Sequence, residues 1–237
     1  MKTYIWTFPT RVFHWLLAFS FAVAFFLGGE EEFLNLHSAL GIFIGILVVF
    51  RVIQGFTGPK YTRFRDFPVS PASIRLFITN MKQSKAMHPG HNPLASLVMF
   101  SIFIMAFLSA ISGMLIFASG DTGIFGFRLL EVSDPEIFEE FHDVVVHLFL
   151  ILVVVHLTGI MADALFHREN GTIWSIFSGY KRIAAVPATQ NNFQRVFSIM
   201  WFVIPIIVFF YVLKFQETPV GEKENTEKVS DNDKDED

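Results

Sequence analysis

Cysteine is absent from the sequence. That absence removes disulfides, thiolate metal sites, iron–sulfur ligation and c-type haem attachment. Charge is scarce too. Only 17% of the 237 residues are Asp, Glu, Lys or Arg, against about 25% in a soluble domain. No internal repeat is evident. What is present is apolar: 52% of the residues are hydrophobic, 30 of them Phe, and the mean hydropathy is +0.48. Such a chain is too apolar for a soluble globule and is neither disordered nor collagenous, which leaves the membrane class.

A crossing helix needs roughly 20 mainly apolar residues. Five segments meet or approach this: Val12–Gly28, Leu34–Phe56, Pro93–Ala118, Phe141–Phe166 and Val196–Phe215. The first is short enough for a cleaved leader, but no small-residue cleavage pattern follows it, and it carries His14 and Trp15. Charge sets the topology. Lys2 and Arg11 precede the first span. The loop 57–92 holds Lys60, Arg63, Arg65, Arg75, Lys82 and Lys85 against Asp66, and 167–195 holds Arg168, Lys181, Arg182 and Arg195 against Glu169. The alternate connections are acidic. Glu30, Glu31 and Glu32 follow the first span. Asp121, Glu131, Asp134, Glu136, Glu139 and Glu140 lie in 119–140 with only Arg128 basic, and nine acids accompany three lysines in the tail 216–237. The two sets alternate as five crossings require. By the positive-inside rule the N-terminus is cytoplasmic and the C-terminus outside. Within the long basic loop, Pro71–Lys82 has the pattern of a short interfacial helix. The tail, polar and without aromatics after Phe215, has the composition of a disordered segment.

An ionisable residue inside a span is a functional candidate by default. His14 opens the first span, near the cytoplasmic side. His37 opens the second and His142 the fourth, both near the outer side. His156 follows His142 by 14 residues, which is roughly 21 Å deeper. Fourteen residues at the helical period also return His156 to within roughly 40° of the face of His142. The four histidines therefore fall into two depth-matched pairs, His37 with His142 and His14 with His156, and one helix serves both. Two imidazoles opposed in hydrocarbon suit the two axial positions of a haem iron and leave no open position for oxygen, which favours electron transfer. The bland alternative, a histidine that simply bonds a neighbouring helix, has to be met four times over. His147 lies about 140° round the fourth helix from His142 and is expected to face elsewhere. His167, beside Arg168, is expected to be solvated.

Small residues flank these positions: Gly41, Gly45, Gly113 and Gly159. They fit a flat macrocycle or ordinary helix packing. Arg51 lies 14 residues after His37, on nearly the same face at the inner depth. It would pair with haem propionates or snorkel to the interface. Asp163, near the cytoplasmic rim, would relay protons or balance loop charge.

Taken together, several pieces resemble one family: Arg11-Val12-Phe13-His14-Trp15; Leu36-His37-Ser38-Ala39-Leu40-Gly41 with Arg51 and Gly58-Pro59-Lys60-Tyr61-Thr62-Arg63; Gly90-His91-Asn92-Pro93; Phe141-His142 with His156; and Gly179-Tyr180-Lys181-Arg182. In this order they resemble the bacterial cytochrome b561 family, and within it the cytochrome b subunit of membrane-bound nickel–iron hydrogenases. The resemblance implies an all-α membrane protein, a four-helix di-haem transmembrane bundle over 1–182. The linker and fifth transmembrane helix over 183–215, and the acidic tail 216–237, would be additions to that core. It implies two haems b, with His37 and His142 as ligands nearer the periplasm and His14 and His156 nearer the cytoplasm. It also implies a place in the bacterial inner membrane, a quinone site, and a periplasmic electron partner (a hydrogenase, another dehydrogenase or reductase, or a c-type cytochrome). Arg63, His88, His91 and Asp163, at the cytoplasmic rim, are the candidates for proton supply to a quinone. A haem-free membrane anchor, or a haem protein serving a soluble acceptor, are the rival expectations. Nothing points to nucleic acid: the basic loops are short and lie at membrane edges, where lipid headgroups explain them.

Overall fold

A computed structural model describes residues 1–80, 88–119, 136–166 and 171–217 of the chain. His167, Arg168, Glu169, Lys82, Lys85, most of the acidic loop before Glu136 and the tail after Glu217 lie outside the described residues.

Five helices are long and apolar enough to cross a membrane: α1 (Phe8–Leu27), α2 (Leu34–Thr57), α4 (Pro93–Ser119), α5 (Glu136–Phe166) and α7 (Asn192–Glu217), with two shorter ones, α3 (Pro71–Asn80) and α6 (Thr172–Ser178). Two-residue strands β1 (Thr3–Tyr4) and β2 (Tyr180–Lys181) and two single 3-10 turns (Glu31–Phe33 and Phe64–Asp66) complete the described elements. The starts are written in local chemistry. Pro9 sits in the first turn of α1, and Pro71 and Pro93 open α3 and α4, where a missing N–H costs nothing. The side chain of Asn92 accepts from Ala95 N at 2.8 Å and caps α4. At α7, Asn191 and Gln194 exchange bonds, Gln194 N to Asn191 Oδ1 at 2.9 Å and Asn191 N to Gln194 Oε1 at 3.1 Å, a reciprocal capping box. Three expected spans start earlier than their apolar cores, and the last, α7, begins at Asn192 instead of Val196 because its capping box sets its start. α1 starts four residues earlier than Val12, and α5 five residues earlier than Phe141, because a helix continues past the hydrocarbon where Glu136, Glu139 and Glu140 suit its positive N-terminal end.

α2 is the hub, packed against α1, α4 and α7, while α5 packs chiefly on α4. Phe13, Leu17, Phe43, Ile44, Leu47, Val48, Phe103 and Trp201 form the buried core between them. The fifth helix is thus built into the bundle. Trp201 is fully buried, donates Nε1–H to Leu47 O at 3.3 Å, and stacks near Phe13 at 5.2 Å between centroids. Outward faces remain apolar, as expected where lipid is the solvent.

One end of the bundle gathers the basic segments. β1 pairs antiparallel with β2, Thr3 opposite Lys181. Ile5 N and Trp6 N both donate to Gly179 O, at 2.8 and 3.1 Å. Ala188 N donates to Tyr4 O at 2.8 Å, Tyr61 OH to Val186 O at 2.7 Å, and Arg11 Nη1 to Phe177 O. The N-terminus, the loop after α2 and the stretch 180–190 therefore share a face. The stretch 183–191 is a packed strap, with Ile183 and Ala188 buried.

Candidate haem and quinone sites

The structure brings the four span histidines together in twos. His37 of α2 and His142 of α5 have ring centroids 6.1 Å apart, and His14 of α1 and His156 of α5 have theirs 6.3 Å apart. Two imidazoles bonded to one metal ion, each at roughly 2.0–2.1 Å, place their centroids about 6 Å apart. The rings are twisted by 77° and 51°. Such twists are open to axial ligands, which turn freely about the metal–nitrogen line. Between the two levels Phe21 of α1 and Phe149 of α5 meet at 4.0 Å. Among the described residues no three His, Cys, Asp or Glu side chains converge. Two protein ligands per site suit a metal whose remaining ligands come from a macrocycle, and not a site built wholly from side chains, which needs three or four.

The outer pair has its tautomers fixed. Nδ1 of His37 lies 2.8 Å from Ala24 O. A carbonyl only accepts, so Nδ1 carries the proton and Nε2 the lone pair. Nδ1 of His142 lies 2.8 Å from Ser112 Oγ, and that hydroxyl is itself directed to Ser109 O at 3.0 Å. With its hydrogen used there, Ser112 accepts from His142, again leaving Nε2 with a lone pair. Such partners orient metal-binding imidazoles. Gly28 and Gly113 abut the two rings: a Cβ on them would stand 3.3 Å from His37 Cε1 and 3.4 Å from His142 Cε1. Gly41 and Gly159 adjoin open space, whereas a Cβ on Gly45 would meet Ala110 at 3.0 Å, which makes Gly45 a helix-packing residue. His147 faces elsewhere. It is 59% exposed, and Nδ1 donates to Asp143 O at 2.8 Å with Asp143 Oδ1 at 3.3 Å.

At the inner level polar atoms are buried without partners. Nδ1 of His14 and Nη1 of Arg51 have no hydrogen-bond partner among the described residues. Arg51 does not snorkel. It is 2% exposed and lies between the rings of Phe103 and Phe64, at 5.0 and 5.7 Å. A buried guanidinium with a donor unpartnered among the described residues suits an anion, such as a haem propionate would provide.

His91 borders this region. Its ring contacts Trp6 at 4.8 Å and Phe67 at 5.0 Å, and its Nδ1 is buried and unpartnered among the described residues. Burial, and then the charges of Lys181, Arg51, His156 and His14, push the imidazole well below the ordinary histidine value, so it stays neutral near pH 7. Lys181 is buried as well, with Nζ donating to Gly90 O at 2.9 Å and lying over Trp6 at 5.4 Å. Burial lowers its pKa to about 8 against the opposing pull of Asp163. The other candidates are more peripheral. Arg63 is clamped to Asp66 at 3.0 Å, and His88 packs on Phe77 at 5.7 Å. Sequence reasoning singled out neither Ser112 nor Trp6, and met Lys181 only as a basic loop charge and within a motif. Ser112 is one of several serines in α4, with Ser96, Ser101 and Ser109, and only its place beside Gly113 set it apart.

Comparison with known proteins gives the family of the chain. A family described as "Prokaryotic cytochrome b561" matches residues 5–179. A protein of Rhizobium leguminosarum bv. viciae, described as a probable Ni/Fe-hydrogenase B-type cytochrome subunit, is 24% identical over 214 residues, covering 75% of this chain and 88% of that one. A probable Ni/Fe-hydrogenase 1 B-type cytochrome subunit of Escherichia coli K12 is 27% identical over 142 residues, 48% of this chain and 60% of that one. No solved structure matches. With the family matched over most of its length and five membrane-crossing helices, the chain belongs to the prokaryotic cytochrome b561 family, as a multi-pass membrane b-type cytochrome of electron transfer.

Proposed function

We propose that the chain conducts electrons between a periplasmic redox partner and the quinone pool of a bacterial inner membrane, with two haems b, one at each histidine pair. The observation that carries this reading is the pair of imidazole–imidazole separations, 6.1 and 6.3 Å, at two depths of one bundle. Bound haem supplies reversible one-electron chemistry. The chain's own residues do the rest. His37 and His142 would offer Nε2 at the outer level, and His14 and His156 the ligating nitrogens at the inner level. Arg51 would hold inner propionate oxygens by charge-assisted hydrogen bonds. A quinone takes up two protons with its two electrons, so the acceptor side needs polar groups through which protons can pass. His91, kept neutral by burial, and Asp163 would be the candidates nearest the inner pair, with Arg63 and His88 further out. The basic face would be cytoplasmic, which puts the N-terminus inside and the C-terminus in the periplasm. The acidic outer face would steer a partner with a basic docking surface. The names of the two relatives make a nickel–iron hydrogenase the first partner to test, with other dehydrogenases and c-type cytochromes next.

Purified protein should contain two haems b per chain by absorbance. His142→Ala and His156→Ala should each remove one, and His147→Ala none. A colourless protein that tolerates all these changes would establish the haem-free anchor instead, and loss of haem from His147→Ala alone would overturn the pairing.

A further inference from the structure

The short helix α6 is inside out for an element that faces water. Its polar Ser175 is 1% exposed and accepts from Trp6 Nε1 at 3.1 Å, while Trp174 is 73% exposed and Ile173 and Phe177 share its outward face. In a membrane protein such a face belongs between headgroups and acyl chains, where the amphipathic Trp ring is enriched. α6 rests on the start of α1. The Phe177 ring lies 4.8 Å from Trp15 and 6.0 Å from Trp174, and Trp15 and Phe8 of α1 are exposed as well. An aromatic edge therefore runs along the seam of the two helices.

One cation is fixed in that edge. Arg11 Nη1 donates to Phe177 O, and the guanidinium lies 5.6 Å from the Phe8 ring. Its Nε is enclosed without a partner, whereas Nη2 is neither enclosed nor bonded among the described residues. The ion pairs among those residues join Arg63 to Asp66 and His147 to Asp143, and Arg11 takes part in neither. A guanidinium already held in place loses little freedom on binding, and its fork matches the oxygens of a phosphodiester. Charge nearby is mostly of one sign. The ribbon β1–β2 follows α6, and Lys2 and Arg182, which adjoin it, are exposed. Of the acids on this face, Asp66 is held by Arg63 and by Tyr61 N at 3.0 Å each, and Asp163 acts on the buried Lys181. A cation alone would fit any anion, and an aromatic edge alone any acyl chain. Together at one depth they fit a molecule that has both.

We propose that the seam of α1 and α6 binds one anionic phospholipid of the surrounding bilayer, with its phosphodiester on Arg11 and its glycerol and upper acyl carbons against Trp15, Trp174 and Phe177. An anionic headgroup is preferred because a zwitterionic one would set its own ammonium among Lys2, Arg11 and Arg182. The lipid bridges the two helices beside His14, whose ring meets Trp15 edge-on at 5.0 Å.

The test is native mass spectrometry of the full-length chain released from nanodiscs of phosphatidylcholine mixed with phosphatidylglycerol. The wild type should retain phosphatidylglycerol over phosphatidylcholine by about fivefold or more, the bias that one basic side chain confers at an anionic surface. Arg11→Gln should abolish that bias. Trp174→Ala, which removes an exposed side chain and so spares the fold, should lower it. Arg75→Gln should leave it unchanged, since Arg75 is an exposed cation of another basic segment, on α3. Equal retention of the two lipids, or a bias that survives Arg11→Gln or Trp174→Ala intact, would overturn the site. So would a loss from Arg75→Gln as large as that from Arg11→Gln, which would mean diffuse charge, or displacement of phosphatidylglycerol by inorganic phosphate, which would mean a free-anion site. Lipid adducts are counted on the chain whatever its haem content, so each of these results leaves the two-haem reading untouched.

Discussion

At the scale of single residues, the histidines were legible because an imidazole in a hydrocarbon segment is conspicuous by type alone. Their partners were not. Ala24 contributes a backbone carbonyl, which no sequence pattern marks, and Ser112 lies 30 residues before His142. Arg51 was open to two readings on sequence and is decided by packing, which encloses it between Phe64 and Phe103. Lys181 is the residue with the clearest solution signature. An unfolded lysine keeps its proton to about pH 10.4, whereas burial brings the native one down to about 8. Between these values the unfolded chain binds more protons, so native stability rises with pH across that window. Below it the buried ammonium costs about 3 kcal/mol. Thermal denaturation in detergent should therefore show the wild type gaining on Lys181→Met as pH rises from 8 to 10. Parallel curves would refute this account of the lysine.

At the scale of elements, the long helices follow from hydropathy and local capping, and their core segments were readable to within a few residues. The ribbon β1–β2 was not, since two-residue strands carry no periodicity. It exists because Gly179 turns with φ +87°, and because its carbonyl faces Ile5 and Trp6. A Cβ at Gly179 would stand 2.5 Å from the Tyr4 ring and 2.8 Å from Trp6 O. Gly179→Ala should accordingly destabilise the protein by about 1–3 kcal/mol and open the strap 183–191 to limited proteolysis; an unchanged cleavage pattern would count against the ribbon as the seal of this face. Trp201→Ala removes a fully buried indole at the junction of α7, α2 and α1. The expected loss is about 3–5 kcal/mol, read as a lower melting temperature. A loss under 1 kcal/mol would mean that α7 is only loosely attached.

At the scale of the whole molecule, charge alternation and tertiary contacts describe the same object. The basic loops foresaw a common face, and the hydrogen bonds joining residues 3–6, 61, 90 and 179–188 put them on one. The absence of cysteine makes the orientation easy to test. Single-cysteine variants Glu31→Cys and Glu139→Cys should react with an impermeant maleimide in intact spheroplasts. Lys60→Cys and Arg182→Cys should react only after permeabilisation. Full reversal would invert the orientation, and a mixed pattern would break the five-crossing topology.

Hydropathy and charge are local and additive, so the sequence by itself determined the five long apolar helices, the common character of the basic loops, and the pairing of histidines by their positions along those helices. The tertiary structure brought the paired imidazoles to about 6 Å of one another, and it alone decided which atoms fix their tautomers and which cations are shut away from water. Those outcomes depend on the rotation and spacing of helices whose contacting residues, like His14 and His156, are far apart in the chain. Packing among several elements at once sets that geometry, and no single segment encodes it.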